Sequence, residues 1–485
     1  MKFSQLTIFS CVCFVLFFLS CSKPVPPPAP MAIVPTDKQI AYQEMEMNAF
    51  IHFTINTFTD KEWGYGDESP QLFNPTNVNV DQWISTLKET GFKGVILTCK
   101  HHDGFSLFPT KYSDHSIKNS PYKEGKGDIV KEVSDACKAN DLKFGVYLSP
   151  WDRNRADYGK PSYIAYYRNQ LKELFTNYGP IYEMWFDGAN GGDGFYGGAK
   201  ETRKIDKTKY YDWSTTLDSV RSWQPNVLFF SDAGPDIRWC GNEKGTAGKT
   251  NWNTITTDTL YAGKAGIEHL LNKGAEDGKN WVPAEVDVSI RPGWFYHKKE
   301  DSLVKTPEQL FNIYLTSVGR GSNLLLNIPP DTMGQFHEQD VTALKGFKEL
   351  LDKAFANNIA QDGAVIASNT RGKSDDYATK NAIDDDKDTY WATDDDVIKA
   401  SITFKYAELQ NITFVRIQEY IKLGQRIKKF HIEAKQGDDW KTVAKGTTIG
   451  YQRILKLDNV VTNELKIVFD DALASLVISN INIYK

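Results

Sequence analysis

The chain carries little excess charge of either sign. Its 57 Lys and Arg stand against 62 Asp and Glu, a net charge of −5 over 485 residues. That balance excludes a nucleic-acid binder held mainly by phosphate contacts. Cysteine is scarce: of six, Cys11, Cys13 and Cys21 lie at the N-terminus, leaving Cys99, Cys137 and Cys240 for the body. Three cysteines do not build a disulfide framework, and their spacings match no zinc pattern. No Gly-rich phosphate loop follows the first strand-like run, which argues against a dinucleotide-binding sheet. The adjacent His101 and His102 have no His-x-x-x-His partner. Neighbours on a strand point to opposite faces, so hydroxyl hydrogen bonding fits them better than a shared metal, and none is expected in the active site. What the chain does have is aromatic side chains, 12 Trp, 23 Tyr and 27 Phe, with 35 Gly and 20 Pro. This argues against disorder, collagen and coiled coil, and suits either stacking on flat sugar faces or a well-filled core.

Long apolar runs are also missing, except at residues 6–19. With Lys2 ahead of it, that run has the length of a secretory signal rather than a spanning helix. It ends in Phe18-Leu19-Ser20-Cys21, which resembles a bacterial lipoprotein cleavage box with Cys21 as the lipidated residue. The expectation is a signal over 1–21 and a stiff Pro-rich tether over 22–38, with the membrane reached through the lipid anchor alone. Ser22-Lys23 lacks acidic residues, which favours the periplasm over surface display.

Between residues 39 and 340, short apolar runs (48–54, 94–100, 143–149, 182–187, 227–231, 323–328) alternate with amphipathic stretches (80–90, 128–139, 163–177, 210–223). Continuous apolar strands alternating with helices mean a parallel sheet buried on both faces, here of α/β class. The length and number of units predict a (β/α)8 TIM-like barrel. A helical linker is expected over 341–359. Residues 360–485 then read as short alternating strands between turns, an antiparallel β-sandwich.

In such a barrel the reacting groups project from the C-terminal ends of strands. Those ends carry His52, followed by Glu62 and Trp63; Lys100-His101-His102-Asp103; Tyr147-Leu148-Ser149; Trp185-Phe186-Asp187-Gly188; Arg238 and Glu243 in what reads as a loop after the fifth run; and Glu285, Asp287, Trp294 and Phe295 after a further strand. Asp187 closes an apolar strand and precedes Gly188, so it either thrusts a carboxylate into the mouth or caps the next helix. In a retaining glycosidase a second carboxyl group sits about 5–5.5 Å from the nucleophile; the candidates are Glu243, Glu285, Glu62 and Asp236. The glycine-rich stretch 190–198 reads as a flexible connector or a lid.

These segments resemble glycoside hydrolase family 29, the α-L-fucosidases. The likeness is carried by Phe50-Ile51-His52-Phe53, by Lys100 to Phe105, by Trp185-Phe186-Asp187-Gly188-Ala189, by 235–245 and by 283–297. They look most like the branch acting on α-1,3 and α-1,4 fucosyl linkages of Lewis-type glycans. The resemblance implies release of terminal α-L-fucose by double displacement without a cofactor. It implies Asp187 as nucleophile and Glu243 as acid/base, with Glu285 the alternative. It further implies fucose contacts from His52, Glu62, Trp63, His101, His102, Tyr147, Trp185 and Arg238, with Trp294 and Phe295 against the C6 methyl. Two other readings stand beside it: another retaining exo-glycosidase of α-galactosidase kind, and a non-catalytic glycan-binding envelope lipoprotein. The C-terminal region, through 382–391 and the final strand 481–484, resembles discoidin-like and family 32 carbohydrate-binding modules. Its acid run from Asp384 to Asp388 is either a structural calcium site or a solvated turn.

Overall fold

The computed structural model describes residues 24–485. The expected signal and Cys21 lie outside the described residues. Eight parallel strands close into a barrel: β1 (Met47–Ile51), β2 (Gly94–Lys100), β3 (Lys143–Leu148), β4 (Glu183–Trp185), β5 (Leu228–Ser231), β6 (Ile237–Trp239), β7 (Ala284–Ser289) and β8 (Asn323–Asn327). Nearly every residue of these strands is buried, as expected for a sheet with a filled interior and helices outside. One strand was missed by the sequence reading. β6 is three residues long and joins β5 through five residues with no helix between them, so neither run length nor helical period marks it. Asp236, in that connection, accepts from Phe229 N (2.8 Å) and Arg221 Nη2 (2.7 Å). It is a structural anchor for the turn and faces away from any catalytic role.

The outer helices are built as their sequences dictate. Asn79 caps Val80–Glu89 and Asp128 caps Ile129–Ala139, each accepting a backbone N–H in the first turn, which contributes about 1 kcal/mol apiece. The helix Glu338–Ala354 buries Ala343, Leu344, Phe347 and Leu351 in the barrel core. It therefore closes the outer ring rather than serving only as a linker. A short helix, Asp37–Gln43, plugs the end of the barrel away from the mouth. Its Gln39 donates to the Asp236 and Trp281 carbonyls, and its Tyr42 hydroxyl reaches Glu285 Oε2 at 2.6 Å.

The C-terminal domain is antiparallel throughout, with strands Ala400–Glu419 and Arg453–Ala472 at its centre. Register shifts between Lys405 and Gln410 and between Ile412 and Phe414 bend these long strands. They close over an apolar core that includes Trp391, Phe404, Phe430 and Phe469. The proline segment is laid against this domain. The carbonyls of Val25, Pro26 and Ala29 accept from Tyr377, Arg371 and Arg426, and Met31 N donates to the Leu423 carbonyl. In the acid run, Asp384 accepts from Thr389 and Asp386 N, while Asp388 pairs with Lys422. Among the described residues no group of three or more His, Cys, Asp or Glu is placed to hold a metal. Hydrogen bonds within the turn and the Lys422 ion pair engage Asp384 and Asp388. No helix among the described residues is long and apolar enough to cross a membrane.

Candidate active site

At the C-terminal ends of the strands a cavity of about 440 Å³ opens to solvent. Its floor is aromatic: Phe50 on β1 and Trp185 on β4 have ring centroids 5.2 Å apart, and Trp185 stacks on Phe230 at 4.1 Å. His52, His101, His102, Tyr147 and Trp294 rise from that floor, and Trp63 stands at the rim with 53% of its surface exposed. Asp187, Asp232, Glu243 and Asp287 supply the carboxyl groups of the wall. Of the residues singled out in sequence, His52, Trp63, His101, His102, Tyr147, Trp185, Asp187, Glu243 and Trp294 thus meet in one place.

Asp187 follows β4 directly. Its Oδ2 accepts the Tyr147 hydroxyl at 2.8 Å and its Oδ1 accepts Ala189 N–H at 2.6 Å. Burial raises its pKa, and these two hydrogen bonds work against that rise. Gly188 is required here: a Cβ would stand 2.2 Å from Asp232 Oδ2. Glu243, on the loop after β6, lines the same cavity and is exposed. Partial burial raises its pKa and the charges of Asp187 and Glu62 add to that, opposed by a hydrogen bond with Trp294.

The imidazoles are neutral. Burial holds His52 and His102 down to about 3 and lowers His101 well below the ordinary range. Hydrogen bonding assigns two tautomers. His52 Nδ1 lies 2.8 Å from Asn327 Oδ1, an acceptor, so Nδ1 carries the proton. The Ser149 hydroxyl donates to the Trp151 carbonyl and so accepts from His102 Nδ1 at 2.7 Å. Both Nε2 atoms are left as lone-pair acceptors, that of His102 being 3.8 Å from Asp187 Oδ2. Contrary to the strand-alternation argument, His101 and His102 both face the cavity, with ring centroids 4.1 Å apart. The strand ends at Lys100 after a register shift from Thr98, so period-2 alternation no longer applies. Lys100 instead turns into a buried ion pair with Asp152 at 3.0 Å.

Four expected residues do not reach the cavity. Arg238 is wholly buried and donates to the carbonyls of Leu271, Val282 and Trp252 and to Asn251; it ties the loop 240–283 to the barrel wall. Glu62 accepts the backbone N–H groups of Trp294 (2.8 Å) and Phe295 (3.2 Å) and bonds His297, fixing the loop rather than a sugar. Phe295 is buried edge-on behind His52 and His101. Glu285 lies below the floor with its oxygens engaged by Tyr42 and by Trp185 Nε1 (3.0 Å). Sequence reasoning missed Asp232 and Trp239 as cavity residues, and gave Asp287 no role. Trp239 Nε1 donates to Asp287 Oδ1 at 2.8 Å. Trp239 ends β6, the strand without a sequence signal, whereas Asp232 directly follows β5 and Asp287 lies on β7. The glycine-rich stretch is also more built than expected. Gly192–Gly194 pairs with Glu201–Arg203, Gly191 N–H is held by Tyr158, and Arg153 bonds the Asp193 carbonyl.

Comparison with known proteins bears on this arrangement. Residues 32–354 match the family described as alpha-L-fucosidase, and residues 364–474 match the F5/8 type C domain. The chain belongs to the α-L-fucosidase family. It is similar to alpha-L-fucosidase 1 of Arabidopsis thaliana, 40% identical over 95% of this chain and 89% of the relative. Among solved structures it resembles a glycoside hydrolase 29 family member from an unknown rumen bacterium, with a TM-score of 0.84 and 41% identity over 94% of this chain and 78% of that one. It also resembles a Ruminococcus gnavus family 29 fucosidase in complex with fucose, with a TM-score of 0.85 and 33% identity over 95% and 96% of the two chains. The protein is thus a glycoside hydrolase of α-L-fucosidase activity.

Proposed function

We propose that this α-L-fucosidase is a retaining, exo-acting enzyme in which Asp187 is the nucleophile and Glu243 the acid/base. One observation carries the reading: Asp187 and Glu243 line the same aromatic-floored cavity, close enough that the charge of Asp187 raises the pKa of Glu243. The blind floor under Phe50 and Trp185 suits a single terminal sugar. In the first step the protonated Glu243 gives its proton to the glycosidic oxygen as an Asp187 oxygen bonds the anomeric carbon and the glycosidic bond breaks. Ionised Glu243 then takes a proton from water, which attacks the same carbon and releases Asp187. The reaction balances with two carboxyl groups and one water, and calls on no cofactor. The Nε2 lone pairs of His52 and His102 accept sugar hydroxyls, which the low pKa of each ring favours. Trp294 supplies an apolar wall for the C6 methyl.

Lewis-type α-1,3 and α-1,4 linkages are the proposed substrates, on the strength of segments 235–245 and 283–297, and the fucosylated glycan meets the protein in the cell envelope, anchored at Cys21 on the periplasmic side. The experiment is release of fucose from branched against linear fucosylated oligosaccharides, with proton NMR of the first anomer formed. Release of the α-anomer, faster from branched substrates, supports the whole reading. An initial β-anomer removes the double displacement, and preference for linear substrates removes the linkage assignment.

A further inference from the structure

Two acidic side chains lie sealed beneath the floor of the cavity. Glu183 opens β4 and Glu285 stands on β7, strands that are not neighbours, so the two side chains reach each other through the barrel interior. Both residues are wholly buried, and their carboxyl groups are in hydrogen-bonding contact. The two ends of that contact differ. Glu285 accepts the Tyr42 hydroxyl at 2.6 Å and Trp185 Nε1 at 3.0 Å. No N–H or O–H of the described residues donates to either oxygen of Glu183, and neither oxygen has surface open to a water molecule. From this geometry we infer that Glu183 is a positioning residue of the fucosidase reaction, which keeps a proton, donates it to the Glu285 carboxylate, and through Glu285 fixes the Trp185 ring. The role rests on the cavity above being the place of hydrolysis.

Electrostatics around the pair supports one arrangement. As carboxylates the two groups offer only lone pairs to each other, which leaves Glu183 buried and unpartnered, a costly state. No Lys, Arg or His is among the groups whose charges act on either carboxyl. Those that face the pair are Tyr42, Tyr182, Asp236, Asp287 and the Cys240 thiol. The Tyr182 hydroxyl is close to Glu183 but out of hydrogen-bond geometry. Like charges in such a place do not both ionise. A single proton turns the contact into a charge-assisted hydrogen bond. It belongs on Glu183, because the two donors on Glu285 favour the ionised form there. Burial, followed by the charge of Glu285, raises the Glu183 carboxyl well above the ordinary range, in agreement.

The floor gains a fixed ring from this bond. Trp185 stacks on Phe230 at 4.1 Å and lies 5.5 Å from Tyr147, whose hydroxyl bonds Asp187. Its indole N–H is held by Glu285. If Glu183 loses its proton, Glu285 meets a like charge and its grip on Trp185 loosens.

The test uses the full chain at about pH 8, where an ordinary carboxyl group is ionised. The infrared difference spectrum, parent minus Glu183→Gln, should contain the C=O stretch of a protonated carboxyl group. As that band fades at higher pH, the indole N–H resonance of Trp185, assigned by its loss in Trp185→Phe, should shift in the parent and hold still in Glu183→Gln. The Gln amide keeps a donor toward Glu285, so kcat/KM for nitrophenyl α-L-fucoside should stay within about twofold, whereas Glu183→Leu should lower it about tenfold. An absent band, an indole resonance that moves alike in both proteins, or a Gln variant as impaired as the Leu variant would overturn the inference. If Glu183→Leu does not fold, the band and the resonance decide alone. Neither depends on which carboxyl groups perform the hydrolysis, so failure of the proposed mechanism would leave both in place.

Discussion

The hydroxyl of Tyr147 donates to Asp187 Oδ2 across 2.8 Å, joining the ends of β3 and β4 at the centre of the cavity. A hydrogen bond to an ionised carboxylate is worth about 1.5–3 kcal/mol. Tyr147→Phe should therefore lower kcat/KM by about 10–100-fold. The bond also opposes the rise that burial imposes on Asp187. Without it the carboxyl pKa climbs further, more of the nucleophile is protonated at a given pH, and the acidic limb of the kcat/KM profile moves to higher pH. An unmoved limb would mean that this hydroxyl does not tune Asp187.

Asp187→Ala should reduce turnover by several orders of magnitude, as loss of a nucleophile does. The side chain closes no hydrophobic core, so the variant should still fold cooperatively, with the thermal midpoint shifted only by the loss of its bonds to Tyr147 and Ala189. Activity assay and calorimetry on one preparation check both halves.

Glu243→Ala should separate substrates by leaving group. Natural glycans need their departing oxygen protonated and should lose most activity, while nitrophenyl fucoside should lose far less. Glu243 has a raised pKa, so the parent's rate should fall as pH passes above it, and that alkaline limb should vanish in the variant.

Glu285 is expected to behave differently. Burial lifts its carboxyl to about 7, against hydrogen bonds from Tyr42 and Trp185. An acid whose pKa is higher folded than unfolded binds more protons in the native state, so its stabilisation is complete below the unfolded value of 4.5 and is lost as pH rises through 7. Glu285→Gln should flatten the fall in unfolding free energy over that window. It should show no leaving-group dependence. If it does, the acid has been assigned to the wrong residue.

Arg238→Met removes donors from four buried acceptors, each costing about 1–3 kcal/mol when left unmet. Thermal denaturation should show a loss of several degrees, with KM for nitrophenyl fucoside unchanged at temperatures where the variant is folded.

Seven barrel strands were legible because each is an apolar run bounded by a helical pattern or turn, and the polar residues at their ends were legible because a parallel barrel gathers those ends at one rim. His52, Tyr147, Trp185 and Asp187 follow from that rule alone. β6 breaks the rule, since Ile237–Trp239 is too short to read as a run and lacks a preceding helix; the place of Trp239 in the cavity was lost with it. Glu62, Arg238 and Phe295 lie outside the cavity lining for a different reason. They lie in or beside loops, where spacing sets position along the chain but not side-chain direction. Glu62 turns to backbone N–H groups and Arg238 to carbonyls, choices made by long-range neighbours separated from them by up to 233 residues.

The strap formed by Val25 to Met31 ties the opening of the folded chain to its last domain through Arg371, Tyr377 and Arg426. Deleting the β-sandwich would strip these prolines of every bond they make there, so trimming either terminus should loosen the other. Only three residues separate Cys21 from Val25, a reach of about 14 Å at full extension. If acyl chains are attached at that cysteine, the strap brings the discoidin-like module close to the bilayer.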